Sequence, residues 1–342
     1  CHPDQTISHN WKETCLREVP REAEHMKMMR AMSITRQGGP DVFEDVSVPM
    51  PVPAANQLLI KVAATSVNPI DCKLRAGLAR IQLSLPAVLG FDVSGTVEEV
   101  GSGVHEFKPG DEVFGAGETV GGHGAYAEYY LLDARIAAAK PANLGHREAA
   151  AIPLAGGTAW EALVNRARLK VAETVLIHAG AGGVGSFAVQ IAKACGARVI
   201  ATCRKENAEL VKQLGADQTI DYREQDWVQR VWDVTGGNGV DVFFDTVGGD
   251  TLSRSLGIVK DFGRGVSITN STGDLGKAYL KNITLHFLFA RRDRQILVGL
   301  KTLAERGKLK SVINSTPRIW DVAEAHRVSE AGHMIGKIVL KA

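Results

Sequence analysis

The chain has 342 residues and a formal net charge of +2, and it is 45% hydrophobic and 23% charged, which is an ordinary globular composition. The small net charge gives no reason to expect a nucleic-acid partner, and no apolar run approaches the roughly 18 residues that cross a bilayer, so no membrane partner is expected either. A chain of this length usually exceeds one compact core, so we predict more than one domain.

The five cysteines are scattered and form no Cys-x-x-Cys motif. An odd number argues against a complete disulfide framework, and the simplest interpretation is a reducing compartment, which predicts a cytoplasmic protein. The cysteines stand at Cys1, Cys15, Cys72, Cys195 and Cys203.

The first 28 residues show no clear period and are interpreted as an extension, expected to be poorly ordered, in which residues 11–24 could form a short helix. Short strand-like runs then follow, separated by glycine, proline and asparagine, and their spacing predicts a compact β domain or barrel. These runs cover residues 31–35, 57–64, 87–90, 92–100, 111–114, 126–132 and 136–138.

The pattern becomes helical over residues 146–155 and 158–167, and strands then alternate with helices from residue 175 to residue 269. This alternation predicts a doubly wound parallel sheet with helices on both faces. The aromatic run 287–289 either walls a cleft or, as is commoner for apolar residues, fills a core. Helices are predicted at 293–305 and 319–331, and the last strand, 336–340, needs a sheet to join, which the β domain offers.

A glycine-rich turn follows the apolar strand Val175-Leu176-Ile177 and opens a helix. Its glycines fit G-x-G-x-x-G: the first allows a sharp turn, the second allows backbone to approach a pyrophosphate, and the third allows helix to pack on strand. The helix start would aim N–H groups at the phosphates. The alternative is a tight turn that needs glycine for packing alone. The predicted dinucleotide contacts are Gly180, Gly182, Gly183, Val184 and Gly185.

The end of the second strand of this unit predicts which dinucleotide binds. An NAD site usually has a carboxylate there for the ribose 2′-hydroxyl, but residues 201–205 contain none. Thr202 can donate a hydrogen bond, and Arg204 and Lys205 can neutralise a 2′-phosphate, so the sequence predicts NADPH. The alternative is that both cations are a solvated helix start, a place where cations without an anion are disfavoured.

Further cofactor contacts are expected where the next strands end, since open α/β sheets bind ligands at the carboxyl ends of their strands. Thr246 and Val247 follow the strand at 240–245, and Ile268, Thr269 and Asn270 follow the strand after it.

Several motifs stand in a recognisable order along the chain: Gly38-Gly39-Pro40, Ser66-Val67-Asn68-Pro69-Ile70-Asp71, Gly90-Phe91-Asp92, Lys108-Pro109-Gly110-Asp111, Gly157-Thr158-Ala159, the glycine turn and Gly336-Lys337-Ile338. Together they resemble the zinc-independent quinone oxidoreductases of the medium-chain dehydrogenase/reductase superfamily, a group that includes zeta-crystallin and the alkenal or enone reductases. The resemblance runs from about residue 29 to the end.

This resemblance implies a GroES-like β domain formed by residues 29–153 and 292–342, with a Rossmann domain inserted at 154–291. It implies a homo-oligomer, a dimer or a tetramer. It also implies that Thr269 and Asn270 lie near the nicotinamide amide, Tyr222 near the adenosine ribose, and Lys337 near the cofactor phosphates. A surface lysine on the last strand is the alternative for Lys337.

Zinc-dependent relatives carry Gly-His-Glu where this chain has Gly90-Phe91-Asp92. Phenylalanine cannot ligate zinc, and Cys72 has no evident partner ligands nearby, with His123 a conceivable but isolated exception. We therefore predict no metal site.

The chemistry implied is hydride transfer from NADPH to a small-molecule quinone or α,β-unsaturated carbonyl, which builds negative charge on oxygen. Asn68, Lys73 and Tyr126 are the candidate donors. Lys73 could give a proton if burial lowers its pKa, whereas Tyr126 either donates or simply packs. The family often has a tyrosine close to Lys73, and this chain has none there, so solvent is a further proton source. The alternative functions are a zinc-dependent-type alcohol dehydrogenase and a non-catalytic NADPH-binding protein.

Overall fold

The computed structural model describes residues 27–79, 81–117, 123–224, 226–269 and 273–342. Nearly all of the predicted N-terminal extension, with its helix at 11–24, lies outside these ranges, as do Cys1, Cys15 and Asn270. Among the described residues, no helix is both long and apolar enough to cross a membrane.

The first part of the chain is rich in antiparallel strands that form two sheets. Strands β2, β1 and β4 form a three-stranded sheet, and β3, β5, β6 and β8 lie side by side in a seven-stranded sheet to which β7 also adds, through β3. The elements are β1 (Met28–Ile34), β2 (Phe43–Pro49), β3 (Gln57–Val67), α1 (Pro69–Ala76), β4 (Ala87–Val88), β5 (Asp92–Val100), β6 (Glu112–Ala116), β7 (Tyr129–Asp133) and β8 (Ala137–Ala139).

Helix α1 was not expected from the sequence, which reads there as a strand running into a turn. Asn68 is the N-cap in an extended conformation, Pro69 opens the helix, and Asp71 accepts a hydrogen bond from the Asn68 backbone N–H. Gly77 ends it with a left-handed φ of 74°. These are ordinary start and stop signals, so the helix follows from the local sequence.

The middle of the chain forms six parallel strands in the order β11-β10-β9-β12-β13-β14. This confirms the predicted doubly wound parallel sheet. The strands are β9 (Thr174–Ile177), β10 (Arg198–Cys203), β11 (Gln218–Asp221), β12 (Val240–Asp245), β13 (Val259–Ser267) and β14 (Thr284–Phe287). The helices are α2 (His146–Ala150), α3 (Pro153–Trp160), α4 (Gly183–Ala194), α5 (Ala208–Gln213), α6 (Trp227–Val234), α7 (Thr251–Ile258) and α8 (Gly276–Leu280).

Side chains on the central strand β9 alternate between two hydrophobic cores. Val175 and Ile177 belong to the core that includes helix α4, whereas Leu176 belongs to the core that includes α6 and α7. All three are fully buried. A strand buried on both faces reads as a continuous apolar run, which is why it was recognisable in the sequence.

The last elements return to the first part of the chain. They are α9 (Arg294–Glu305), β15 (Ile313–Ser315), α10 (Val322–Glu330) and β16 (Lys337–Lys341). Strand β16 pairs antiparallel with β3, with Ile338 opposite Val67, so the prediction that the closing strand joins the β-rich sheet is confirmed.

Some predicted boundaries and elements were wrong. Strand β7 begins at Tyr129 rather than at residue 126, the single helix expected over 146–155 is interrupted before Pro153, and β2 and α8 were not predicted. In the run at 287–289, Phe287 and Phe289 are 51% and 64% exposed and do not fill a core, whereas Leu288 is partly buried against the core that includes α4.

Candidate active site

The glycine turn joins β9 to α4 and is held by backbone contacts. A Cβ added to Gly185 would lie 2.0 Å from the carbonyl oxygen of Ala179, and one added to Gly180 would lie 2.9 Å from the Cβ of Ala201. The left-handed residue of the turn is Ala179, with a φ of 52°. The sharp reversal expected at the first glycine is therefore made one residue earlier, and Gly180 serves close packing.

The start of helix α4 offers backbone donors. Its N-cap is Gly182, which has no side chain to cap the helix. The first N–H groups, those of Gly183, Val184 and Gly185, have no acceptor within the helix, and the helix dipole makes this end positive. The turn and the helix start together can therefore hold an anion such as a pyrophosphate.

Beside this turn lies a cavity of about 500 Å³. Five of the predicted cofactor residues line it, and several residues that were not predicted do so as well. The predicted ones are Gly182, Thr202, Arg204, Tyr222 and Val247, and the unpredicted ones include His178, Trp227, Arg254, His333 and Met334.

Arg204, at the end of β10, presents a cation to the cavity. Its side chain is only 17% exposed; Nε donates to the Tyr222 hydroxyl at 3.3 Å, and Nη1 is 3.7 Å from a carboxylate oxygen of Glu206. Its Nη2 is buried and has no hydrogen-bond partner. A buried donor without a partner is costly, so this nitrogen suits an anion bound in the cavity.

Lys205 is placed differently from Arg204. Its side chain is 76% exposed and its Nζ lies 3.6 Å from a carboxylate oxygen of Glu224. Thr202 is buried, and its hydroxyl accepts the Ala179 N–H at 3.1 Å. The three residues predicted from one short segment therefore have separate positions: Arg204 on the cavity wall, Lys205 in solvent and Thr202 under the turn.

The remaining predicted contacts stand at the carboxyl ends of β12 and β13. The Thr246 hydroxyl donates to the carbonyl oxygen of His178 at 2.8 Å. The Thr269 hydroxyl is 3.0 Å from that of Ser267 and 3.3 Å from a carboxylate oxygen of Asp245, and Ile268 is half-buried beside it. These residues share one edge of the sheet with the glycine turn.

A second polar cluster surrounds Asn68, in the β-rich part of the chain. Asn68 is 4% exposed, and its Nδ2 donates to Asp92 Oδ2 at 2.8 Å. The same carboxylate accepts from the Ser66 hydroxyl and, through Oδ1, from the Leu154 N–H at 2.8 Å. These hydrogen bonds satisfy the buried carboxylate of Asp92. Asp92 was not predicted as a site residue, although it belongs to the Gly90-Phe91-Asp92 motif.

Lys337 completes this cluster. It is 3% exposed, so the alternative of a surface lysine is wrong. Its Nζ donates to the Val67 carbonyl at 2.9 Å and to Asn68 Oδ1, and lies 3.6 Å from Asp92 Oδ2. Burial lowers the pKa of Lys337 from its usual value, and the nearby Asp92 carboxylate opposes that change.

The start of β16 connects the glycine turn to the polar cluster around Asn68. The Gly336 N–H donates to the Ala181 carbonyl at 2.8 Å, and a Cβ built on Gly183 would lie 3.3 Å from Lys337 Cδ. The start of β16, which places the Lys337 ammonium beside Asn68, therefore packs against the glycine turn.

Comparison with known proteins identifies the family. The family model for the alcohol dehydrogenase GroES-like domain matches residues 54–142, and the model for zinc-binding dehydrogenases matches residues 183–298. The chloroplast envelope quinone oxidoreductase homolog of Arabidopsis thaliana is 34% identical over 328 residues, which cover 92% of this chain and 99% of that protein. The chain belongs to the quinone oxidoreductase family of the medium-chain dehydrogenase/reductase superfamily.

Two further relatives bear on the chemistry of the family. The chloroplastic NADPH-dependent alkenal/one oxidoreductase of Arabidopsis thaliana is 34% identical over 333 residues, covering 94% of this chain and 82% of that protein. The crystal structure of Escherichia coli quinone oxidoreductase complexed with NADPH matches with a TM-score of 0.83 at 33% identity, covering 92% of this chain and 100% of that one. This family member is accordingly an oxidoreductase with a GroES-like domain and a Rossmann sheet.

The place of a catalytic zinc ligand is occupied by an aromatic ring in this family member. Phe91 is 2% exposed, and the Arg292 guanidinium lies 5.0 Å from its ring centre. Cys72 is buried, and burial raises the pKa of its thiol to about 12, which disfavours the thiolate that zinc binds. Within the described ranges, no three His, Cys, Asp or Glu side chains are grouped to hold a metal ion. Phe91 and Cys72 are therefore poorly suited to hold zinc.

The two remaining donor candidates differ in their exposure to solvent. Lys73 is exposed on α1, so it lacks the burial that its role as a proton donor was expected to need. Tyr126 is fully buried, and its hydroxyl is 3.2 Å from Nε2 of His326. Burial, together with the Asp71 carboxyl, raises the pKa of Tyr126 well above its ordinary value, so this tyrosine packs in the core.

His178, on the cavity floor, is a residue that sequence reasoning missed. Its Nε2 is 2.9 Å from the Ser255 hydroxyl, and its ring meets that of Trp227 edge-on at 4.8 Å. Burial lowers the pKa of His178 to about 4, so the floor is neutral near pH 7. Its position inside the glycine-turn segment, directly after the strand, was the available signal.

Proposed function

We propose that the protein is an NADPH-dependent reductase that transfers a hydride to a quinone or an α,β-unsaturated carbonyl without zinc. The observation that carries this proposal is the buried Nη2 of Arg204, which has no partner on the wall of the cavity beside the glycine turn. A 2′-phosphate is the anion that distinguishes NADPH from NADH, and a guanidinium is well suited to bind it.

In this proposal the predicted cofactor residues divide the cofactor between them. The helix start at Gly182, Gly183, Val184 and Gly185 holds the pyrophosphate, while Gly180 and Thr202 keep the turn in shape. Arg204 binds the 2′-phosphate from inside and Lys205 from the solvent side. The ribose and nicotinamide contacts are assigned to Tyr222, Thr246, Val247, Ile268, Thr269 and Asn270.

Bound NADPH would supply the hydride that the reaction consumes. The chain supplies the donor for the substrate oxygen on which negative charge then builds. Asn68 uses Oδ1 and one Nδ2 hydrogen within the protein, and in this proposal its second Nδ2 hydrogen is the donor to that oxygen. A single donor aimed at such an oxygen is worth about 100-fold in rate or more.

The proton that completes the reduction comes from solvent. Tyr126 is fully buried with its hydroxyl turned to His326, and Lys73 is exposed on α1. A solvent proton also agrees with a reduction whose difficult step is hydride transfer, for which the protein mainly provides position and electrostatics.

The absence of a metal from the proposed reaction rests on the residues that occupy the ligand positions. Phe91 has no donor atom, and the buried thiol of Cys72 resists ionisation. We therefore expect a chelator to leave the rate unchanged.

The proposal includes a homo-oligomer, a dimer or a tetramer. β14 is one of the two edge strands of the six-stranded sheet, so its outer backbone groups can pair with another strand. Phe287 is 51% exposed on this strand, and Tyr279 and Leu280 on α8 are 85% and 76% exposed. Sedimentation velocity would show a dimer or tetramer that Phe287→Asp weakens, and a monomer at all concentrations would contradict this part.

A cytoplasmic location stays a prediction, supported by the free thiols of Cys72, Cys195 and Cys203.

The test is oxidation of NADPH by the purified protein against a simple quinone and a simple enone, with and without a chelator, with NADH in parallel. We expect turnover with NADPH that the chelator does not change, and the better acceptor identifies the substrate class. Loss of activity with the chelator would contradict zinc-free catalysis. Tight NADPH binding without turnover on either acceptor would contradict the reductase and indicate a binding role.

A further inference from the structure

The hydrogen bonds of Asn68 fix which way its carboxamide faces. An amide can be turned by half a rotation with little change of shape, which exchanges its oxygen and its nitrogen. Here Lys337, which can only donate, meets Oδ1, and the carboxylate of Asp92, which can only accept, meets Nδ2. The opposite orientation would set donor against donor and acceptor against acceptor, so the pair Lys337 and Asp92 selects one orientation.

The Lys337 ammonium is committed to this cluster. It donates to the carbonyl of Val67 and to Asn68, lies 3.6 Å from Asp92, and is 3% exposed. Moving it towards a phosphate at the glycine turn would leave the fully buried Asp92 carboxylate without a cation, which is strongly unfavourable.

The stem of Lys337, by contrast, faces the glycine turn. Its Cδ lies 3.3 Å from the position of a Cβ on Gly183, and the preceding residue, Gly336, donates its N–H to the Ala181 carbonyl at 2.8 Å. One residue therefore contacts the cofactor-binding turn with its aliphatic part and the carboxamide of Asn68 with its charged end.

We propose that Lys337 is a positioning residue: its buried ammonium holds the Asn68 carboxamide in the orientation that leaves one Nδ2 hydrogen for the substrate oxygen, and its stem sets that carboxamide against the glycine turn. This rests on the proposed function. It departs from the family-based expectation that a residue near Lys337 contacts the cofactor phosphates.

Lys337→Met distinguishes a residue that positions Asn68 from one that contacts the cofactor phosphates, because it keeps the stem and removes the ammonium. NADPH affinity would be measured by fluorescence titration and turnover by NADPH oxidation at saturating cofactor. We expect the Kd for NADPH to stay within about threefold, whereas kcat falls about 100-fold because the donor is misplaced. Lys341→Met, at the exposed end of the same strand, is the matched control and should change neither quantity.

A double-mutant cycle adds a readout that a merely structural role would not move. If Lys337 acts through Asn68, then Lys337→Met combined with Asn68→Ala should lower kcat no further than Asn68→Ala alone. Independent, multiplicative losses would overturn the proposal. A Kd for NADPH raised more than about tenfold with kcat retained would also overturn it, since that split indicates a ground-state phosphate contact.

Two further measurements keep the test decisive. If Lys337→Met does not fold, Lys337→Met with Asp92→Asn removes both charges together and should give the same split between kcat and Kd. The side-chain amide of Asn68, observed by NMR in asparagine-labelled protein and identified by its loss in Asn68→Ala, should show a slowly exchanging hydrogen that Lys337→Met makes fast. An unchanged amide overturns the positioning role, and this readout stands even if the protein reduces no acceptor and the proposed function fails.

Discussion

The carbonyl oxygen of Ala179 lies 2.0 Å from the place that a Cβ on Gly185 would occupy. Ala179 has a left-handed φ of 52°, so this oxygen is held in a turn that cannot easily move away. At Gly182 the corresponding distance to the same oxygen is 3.2 Å. The glycines of the turn therefore differ: Gly185 is required by the fold, and Gly182 leaves room that a ligand can use.

We predict that Gly185→Ala destabilises the protein, because the new methyl group must displace backbone. The expected loss in the free energy of unfolding is about 2 kcal/mol or more, in the range of overpacked interiors. Urea unfolding followed by circular dichroism would measure it. A variant as stable as the wild type would show that the turn is looser than its geometry implies.

Gly182→Ala is the matched substitution, and we expect it to weaken NADPH binding while leaving the stability nearly unchanged. Its backbone angles, φ −76° and ψ 178°, suit alanine, so we expect the free energy of unfolding to change by less than about 1 kcal/mol. The methyl group would stand where the pyrophosphate approaches, so NADPH binding should weaken at least about tenfold. Unchanged NADPH binding would contradict the assignment of this turn to the phosphates.

Local patterns made the Rossmann part of this fold predictable. The run Val175-Leu176-Ile177 is buried on both faces of a parallel sheet, so its apolar character is continuous and visible without any knowledge of its neighbours. The glycine turn and Arg204 follow strand ends, where function in such sheets is expected. Helix α1 was missed although Asn68, Pro69 and Asp71 are sound start signals, because its eight residues are too few to show a helical repeat of apolar residues.

The cluster around Asn68 was only partly predictable, because its members are distant in sequence. Lys337 is 269 residues from Asn68, and nothing in the sequence near Lys337 distinguishes a buried lysine from a surface one. The antiparallel pairing of β16 with β3, which sets Ile338 opposite Val67, creates the contact. Burial of the charge is a property of the assembled sheet, and it decides the role of the residue.

Arg204→Ala should remove most of the preference for NADPH, because it deletes the buried, unpartnered Nη2. Charge-assisted hydrogen bonds of this kind are worth about 1.5–3 kcal/mol, so the ratio of NADH to NADPH dissociation constants should fall by about 10- to 100-fold. The constants would be obtained by fluorescence titration with each cofactor.

Lys205→Ala is the control, since its side chain is 76% exposed. Screening by solvent should limit its effect on the same ratio to less than about fivefold. Equal effects of the two substitutions would indicate a general electrostatic attraction in place of a specific 2′-phosphate contact.

Asn68→Ala and Lys73→Met separate two of the donor candidates. In the proposed reaction Asn68 donates an amide hydrogen to the substrate oxygen, so its removal should lower kcat about 100-fold at saturating NADPH. Lys73 is exposed on the next turns of α1, so Lys73→Met should lower kcat less than about threefold, as expected for a side chain outside the site. The reverse order would assign the donor to Lys73 and contradict the proposed role of Asn68.

Asp71 connects the start of α1 to the pH dependence of stability. It is fully buried; Oδ2 accepts the Asn68 N–H at 2.8 Å, and Oδ1 has no hydrogen-bond partner. Burial raises the pKa of Asp71 from 3.8 to about 7, against the lowering effect of the Asn68 hydrogen bond. The folded protein therefore keeps a proton on Asp71 at pH values where the unfolded chain has released it.

From this follows a loss of stability as the pH rises from about 4 to about 7, with no further change above, since both states are then ionised. The full difference corresponds to about 4 kcal/mol. Asp71→Asn has no carboxyl to ionise at this position. Its free energy of unfolding, relative to that of the wild type, should therefore increase as the pH rises through this window. Urea unfolding below, inside and above the window would measure the gain, with Asp261→Asn as an exposed control. Parallel pH profiles for wild type and Asp71→Asn would show that the Asp71 carboxyl ionises in the folded protein as easily as in the unfolded chain.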